Sequence, residues 1–259
     1  MTTTNLNQYN PEGSRLRIHQ KELAELLKVF ATICKENDIQ WWLCSGTLLG
    51  AARHKGFIPW DDDIDVAMMK KDYRKLRRVM QERKGDKYFL HTMETDIEYK
   101  NTFGHFAYRE GKRFICFDVF PIEKSSRFAS HMAKFFYCNM HYPTKYIKNR
   151  RLRHFCIRLT QAINFGLLFP IIRLIGLINP KGQYHYALGA GFYDEPFYLK
   201  EIFPLSTMEF EGNMYPVPKN TNAYLTNLYG DWKKLPTENQ IKRAIHNPIY
   251  YKDLFGEQE

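Results

Sequence analysis

The sequence predicts an α+β protein: a sheet core flanked by helices, interrupted by a basic, largely helical insertion and closed by a partly helical C-terminal region. Three observations predict it. Leu16, Leu23, Leu26, Leu27, Phe30, Ile33 and Cys34 recur at helical spacing. Apolar and aromatic runs of strand length follow at 39–44, 88–91, 102–108 and 114–120. From 124 to 193 there is no Asp or Glu, while eleven Lys or Arg residues occur.

Taken in order, residues 1–13 are polar, read as a disordered N-terminus, and lack the basic and apolar regions of a signal peptide. The first helix ends at Asn37-Asp38. IQWWLC (39–44) reads as a buried strand opening onto Ser45-Gly46-Thr47, with Leu48, Leu49, Ala51 and Ala52 in a short helix beyond. A strand meeting a helix in this way leaves free backbone N–H groups at the helix N-terminus, where a phosphate can be held. Arg53, His54 and Lys55 precede a loop over 56–60, a strand over 61–69 and a surface helix over 71–83. The strand over 114–120 carries Asp118 between Phe117 and Val119, an expensive position for an unpaired acid. A helix over 126–140 opens the acid-free block. It continues through Lys145, Lys148, Arg150, Arg151, Arg153 and Arg158 into the apolar run 162–178, which Pro170 and Arg173 interrupt. A membrane-spanning helix takes about 20 apolar residues, so this shorter run reads as a core or interfacial helix. The C-terminal part reads as a hairpin, 207–210 and 214–217 around Glu211-Gly212, and a helix over 221–229 stopped by Gly230. Arg243 and His246 sit near a last helix.

A chain of 259 residues with 44% hydrophobic and 15% aromatic content can bury a substantial core, which excludes disordered and fibrous classes. The net charge of +10 is concentrated in the acid-free block. Such a block faces phospholipid head groups, nucleic acid or a phosphate-bearing substrate, and no nucleic-acid recognition motif supports the second. The five cysteines are odd in number, without close-paired spacing, and read as buried thiols in a reducing compartment. A cytoplasmic protein resting on the inner face of the plasma membrane is the expectation.

The chemistry concentrates in 45–66, SGTLLGAARHKGFIPWDDDIDV. On an extended strand Asp63 and Asp65 share a face, joined by Asp61 if the strand begins that early, while Ile64 and Val66 point into the core. Carboxylates crowded on one face repel unless a cation joins them, and all-oxygen ligation suits Mg²⁺ or Mn²⁺. A calcium loop does not fit, because its sixth position would be Val66 and its twelfth Asp72. Asp118 is the candidate third carboxylate, as metal ligand or as base. Ser45, Gly46 and Thr47 are candidates to cradle phosphate, Arg53 and Lys55 are weaker phosphate candidates, and His54 reads as structural.

Residues 45–66 resemble the signature of the LicD family. Gly46-Thr47 and Asp63-Ile64-Asp65-Val66 fill its first motifs, Phe117-Asp118-Val119-Phe120-Pro121 its third acidic motif, and Phe210-Glu211-Gly212 and Tyr229-Gly230-Asp231-Trp232 its C-terminal pattern. The resemblance implies a nucleotidyltransferase-like mixed sheet over 14–123 as catalytic core, a basic segment over 124–193 and a part over 194–259 that completes the fold. It further implies transfer of an alcohol phosphate, such as phosphocholine, from a CDP-activated donor to a hydroxyl of a glycan or lipid-linked glycan acceptor, with release of CMP. Lipopolysaccharide and teichoic acid precursors are the expected acceptor types. Asp63 and Asp65 would be primary metal ligands, with Asp61 and Asp118 beside them. Two other readings stay open: a nucleotidyltransferase moving a nucleoside monophosphate, and a non-catalytic membrane-attached binding protein. Trp41, Trp42 and Trp60 are available to receive a quaternary ammonium, although paired tryptophans on a buried strand more often pack the core.

Overall fold

The computed structural model describes residues 9–83, 85–179, 181–189, 195–245 and 247–255. Helix α1 (Arg15–Glu36) starts at Ser14, whose hydroxyl accepts from the Arg17 N–H. Its apolar stripe covers one face of the sheet: Phe30 packs against Trp41, Phe106 and Phe117 at ring distances of 5.1, 5.1 and 5.3 Å. Packing begins ahead of Gly13, because Tyr9 is buried against Trp60 and Phe255. Residues 1–8 of the expected disordered N-terminus lie outside the described residues.

The sheet contains β1 (Trp42–Leu43), β2 (Asp65–Met69), β3 (Tyr88–His91), β4 (Gly104–Glu110), β5 (Arg113–Lys124) and β6 (Tyr184–Tyr186). The order is β1-β2-β5-β4-β3, with β6 on the end of β5. β2 and β5 are parallel and every other pair is antiparallel, so the sheet is mixed, as expected. The acid strand is shorter than its alternation predicts: β2 opens at Asp65, and residues 61–64 form a loop. Side chains of α1 replace strand partners there. Gln20 Nε2 donates to the Asp61 carbonyl at 2.7 Å, and His19 Nε2 lies 3.1 Å from that of Asp62. Ile64 and Val66 are fully buried, as their spacing requires.

Helix α2 (Ser45–His54) begins at Ser45 itself, so Ser-Gly-Thr forms its first turn rather than a preceding link. Helix α3 (Lys70–Glu82) follows β2. The insertion contains α4 (Arg127–Met140), then α5 (Arg150–Ile163), a π turn (Asn164–Leu168) and α6 (Phe169–Gly176). The last three run as one helix of 27 residues, of which the expected separate run over 162–178 is the second half. Pro170 does not break it because it falls at the start of α6, where the π turn has already shifted the hydrogen-bond ladder. By length and composition this helix is long and apolar enough to cross a membrane, and 22% of its most apolar 18-residue window is buried. The insertion has a small core of its own, Ala129, Ala133, Tyr137, Phe169, Ile172 and Leu188.

The C-terminal part adds α7 (Leu199–Ile202), the hairpin β7 (Ser206–Phe210) and β8 (Asn213–Val217), α8 (Thr221–Tyr229), α9 (Glu238–Ala244) and α10 (Pro248–Phe255). Glu211 and Gly212 turn the hairpin with φ of 48° and 73°, the left-handed pair that matches strand twist. Phe210, Tyr215, Val217, Tyr224 and Leu225 enter the main core. Of the five cysteines, all free, Cys34 and Cys44 are buried, whereas Cys116, Cys138 and Cys156 are half-buried.

Candidate active site

Strand register assembles a polar row that no local pattern shows. Asp65 on β2 pairs with Asp118 on β5, Asp118 with His105 on β4, and His105 with His91 on β3. Directly opposed residues share a face, so the four side chains stand on one side of the sheet, opposite α1. His105 Nε2 lies 3.1 Å from Asp118 Oδ1, and its Nδ1 lies 3.9 Å from Cys116 Sγ. Burial works against a charge on His105, but its bonds to Asp118 and Cys116 outweigh burial and push it up to about 9. The contact with Asp118 holds that side chain in place. The Tyr99 ring packs against His91 and His105 at 4.7 and 5.1 Å.

Beside this row a cleft of about 880 Å³ is lined by Asp61, Asp63 and Asp65 on one wall and by Tyr229, Asp231, Trp232, Lys234 and Arg243 on the other. Asp65 belongs to both row and cleft. Burial, followed by the charges of Asp63, Asp118 and Asp61, pushes its carboxyl well up; burial and then Asp63 and Asp62 do the same to Asp61.

The N-terminus of α2 opens on the cleft through Gly46, and the N-cap, Cys44, provides no side-chain hydrogen bond to the first turn. The positive end of the helix and its unpaired N–H groups are thus available to an anion. Ser45 is buried in a left-handed conformation, φ 47°, with its hydroxyl 3.3 Å from that of Tyr186 and 3.8 Å from Cys44 Sγ. A non-glycine residue held this way costs on the order of 1–3 kcal/mol, strain of the kind stored at working sites. Thr47 does not face the cleft: its Oγ1 accepts from the Asp65 N–H at 2.8 Å and ties helix to acid strand. A Cβ on Gly46 would stand 2.9 Å from Asp61 Oδ2. Gly46→Ala is expected to push that carboxylate aside, lowering kcat at least about tenfold while the Tm moves little; steady-state kinetics with a thermal melt checks this.

Arg53 lines the cleft, and its Nη2 donates to the carbonyls of Trp232 and Lys234, the latter at 2.9 Å, so it ties α2 to the opposite wall. Lys55 is not brought to the cleft. It is exposed, and its Nζ lies 3.3 Å from Glu209. His54, at the end of α2, is half-buried, and burial followed by the charge of Arg53 lowers its pKa. Trp41 and Trp42 pack the core, whereas Trp60 lines the cleft.

Sequence reasoning missed His105, whose role needs strand register, and Asp231, Lys234 and Arg243, which reach the acids from more than 160 residues away. It also missed Gln20. A visible signal was present there, a glutamine at a core position of the α1 stripe between Leu16 and Leu23, fully buried in the fold. His246 lies outside the described residues.

Carboxylates on adjacent parallel strands stand beside the bare N-terminus of a helix, an arrangement with the chemistry to hold phosphate esters. Residues 38–162 match the family described as LicD/FKTN/FKRP, nucleotidyltransferase domain. The chain is 31% identical over 261 aligned residues to the lipopolysaccharide cholinephosphotransferase LicD of Haemophilus influenzae, covering 88% of this chain and 94% of that protein. Shorter matches reach mouse ribitol-5-phosphate transferase FKTN (37% over 57 residues, 22% of this chain and 12% of that protein). Human ribitol 5-phosphate transferase FKRP matches at 36% over 52 residues, 20% of this chain and 10% of that protein. The chain belongs to the LicD family, whose named members here are phosphotransferases.

Proposed function

We propose that this protein transfers an alcohol phosphate, phosphocholine first among the candidates, from a CDP-activated donor to a hydroxyl of a cell-surface glycan precursor of the lipopolysaccharide or teichoic acid type, releasing CMP. The observation that carries the reading is the Asp65–Asp118 register pair, with Asp61 and Asp63 in a cleft that also exposes the α2 N-terminus.

The donor set suits Mg²⁺ or Mn²⁺. Asp61, Asp63, Asp65 and Asp118 offer only carboxylate oxygen, and the repulsion that raises Asp61 and Asp65 is what a divalent cation relieves. Among the described residues no three His, Cys, Asp or Glu side chains converge into a ready cage. Mg²⁺ takes one or two carboxylates and completes its shell with water and substrate phosphate, so one or two of these acids would suffice to hold it. A cation bound there would offset phosphate charge and polarise the phosphoryl oxygens.

In this reading the protein's own groups orient the reaction. The acceptor oxygen attacks the phosphorus bearing the alcohol, and its proton passes to a carboxylate of the row, for which Asp118, held by His105, is suited. The bond from that phosphorus to the bridging oxygen breaks, and CMP leaves with the oxygen. Arg243 and Lys234 on the facing wall and the α2 N-terminus receive donor phosphates. Trp60, Trp232 and Tyr229 supply ring surface for a quaternary ammonium; Lys233 already stands over the Trp232 ring at 5.7 Å. Trp232→Ala is expected to raise the KM for CDP-choline about tenfold and to leave that for CDP-glycerol within about twofold, measured on matched acceptors.

A cytoplasmic site on the inner membrane face belongs to the same proposal, and the insertion supports it. Leu152, Phe155 and Leu159 form an exposed stripe on α5, and Leu167, Ile171 and Leu174 continue it. The π turn adds one residue between the two halves and so keeps them in phase. With no acid in the block, the stripe suits anionic lipid.

Product identity tests the function. With CDP-choline, CDP-ribitol or CDP-glycerol, Mg²⁺ and a glycan acceptor, CMP should accumulate in step with acceptor modification. Pyrophosphate from an NTP, without CMP from any CDP donor, would favour the nucleotidyltransferase. Donor binding with no turnover on any acceptor would favour the non-catalytic protein.

A further inference from the structure

A second cavity, of about 660 Å³, lies at the other end of the sheet, between the catalytic core and the insertion. It shares no lining residue with the acid cleft. Asp65 opens β2, and Lys70, on the wall of this cavity, follows its last residue, about 16 Å along an extended strand.

Two helix faces meet across it. Lys70, Arg74 and Arg77 stand at i, i+4 and i+7 on α3, and Arg158 and Gln161 at i and i+3 on α5. Glu94 pairs with Arg77, and Glu123 takes Lys70 and Arg173. Arg74 and Arg158 have no acidic partner among the described residues, so the cavity keeps an excess of positive charge. Three of its wall residues also hold buried polar atoms without a hydrogen-bond partner: Arg77 Nε, Thr102 Oγ1 and Gln161 Nε2. All three can donate, and an unmet buried donor costs about 1–3 kcal/mol. Unpaired cations at the rim of one cavity and unmet donors within its wall residues suit a ligand rich in acceptor oxygens.

We propose that this cavity is a binding site for a phosphate or pyrophosphate group, distinct from the acid cleft. One wall is α5, whose outer stripe of Leu152, Phe155 and Leu159 is the face offered to lipid, so the phosphate can come from a lipid headgroup or from a soluble ligand. The site rests on charge and unmet donors alone and stands whether or not the catalytic reading does.

Inorganic pyrophosphate, added to the full chain without divalent metal, is the soluble probe, read as a shift in Tm. Vesicles carrying a phosphomonoester lipid, compared with phosphatidylglycerol vesicles of equal surface charge, are the lipid probe. The paired variant Arg74→Gln/Arg158→Gln removes the two unpaired cations from exposed positions, and its own melt reports whether it folds. Lys234→Gln/Arg243→Gln is the cleft control, since it removes the cations that would hold pyrophosphate there. A Tm rise of several degrees with pyrophosphate, kept by the cleft control and lost by the paired variant, supports a soluble ligand. Binding at least about fivefold stronger to phosphomonoester vesicles, again lost in the paired variant, supports a headgroup. The proposal is overturned if neither probe acts, if the paired variant responds like the wild type, or if the cleft control loses the response.

Discussion

Asp65→Asn is expected to lower transfer by at least about 10²–10³-fold while leaving the protein as stable or more so in metal-free buffer. Both effects have one cause. Asp65 is recessed among Asp61, Asp63 and Asp118, and burial and their charges oppose its ionisation. In the proposed reaction the carboxylate is needed, and that need would be why the fold bears the repulsion. An amide of the same shape removes the charge but keeps the backbone N–H that bonds Thr47, so the strand stays in place. A gain of about 0.5–2 kcal/mol is in the range seen when a functional residue is relieved of its task. Kinetics beside a melt in EDTA separate this from misfolding, in which activity and Tm would fall together.

The largest expected loss of stability comes from Glu123→Ala. Glu123, at the end of β5, is buried; it accepts from Lys70, from Arg173 Nε at 2.9 Å and from the Leu188 N–H at 3.2 Å. It is the ionic joint between sheet and insertion. Removing it leaves two half-buried cations facing each other without their shared acid, at a cost of up to about 3–5 kcal/mol, the figure for a fully buried pair. Burial alone would raise the Glu123 pKa, but its bonds and charges with Arg173 and Lys70 outweigh burial and lower it. Its stabilisation is therefore present above the unfolded value of about 4.3 and fades as the pH falls through the lowered folded value. Urea unfolding of the wild type and Glu123→Ala at pH 7 and pH 3.5 should show the difference at pH 7 and a smaller one at pH 3.5. Replacing Lys70, Glu123 and Arg173 together by methionine should restore most of the loss.

The parts of this fold legible in the sequence are those written in one short window. The α1 stripe, the buried Ile64 and Val66, the β7–β8 hairpin and the Gly230 helix stop follow from local periodicity and turn chemistry. Asp61, Asp63, Asp65 and Gly46 are legible because fourteen intervening residues at most separate neighbours in the cleft. His105 was not, since its place beside Asp118 exists only once β4 and β5 pair in a particular register. The far wall was hidden for a similar reason: Asp231 read as part of a helix stop, and only the return of α8 and α9 over α2 brings it and Arg243 to the acids. In the sequence the long helix looks like two, because Pro170 and the change from basic to apolar composition near 162 resemble a boundary and a π turn has no sequence signature to bridge it.

The central claim is that the alcohol keeps its phosphate as it moves, and a double label tests it most directly. CDP-choline labelled at its methyl groups and with ³²P in either the α- or the β-phosphate is incubated with the protein, Mg²⁺ and a glycan acceptor. Methyl label and β-³²P should enter the acceptor together in equal amounts, α-³²P should remain in CMP, and both transfers should vanish with Asp65→Asn. Entry of α-³²P into the acceptor, or methyl label arriving without β-³²P, would contradict it.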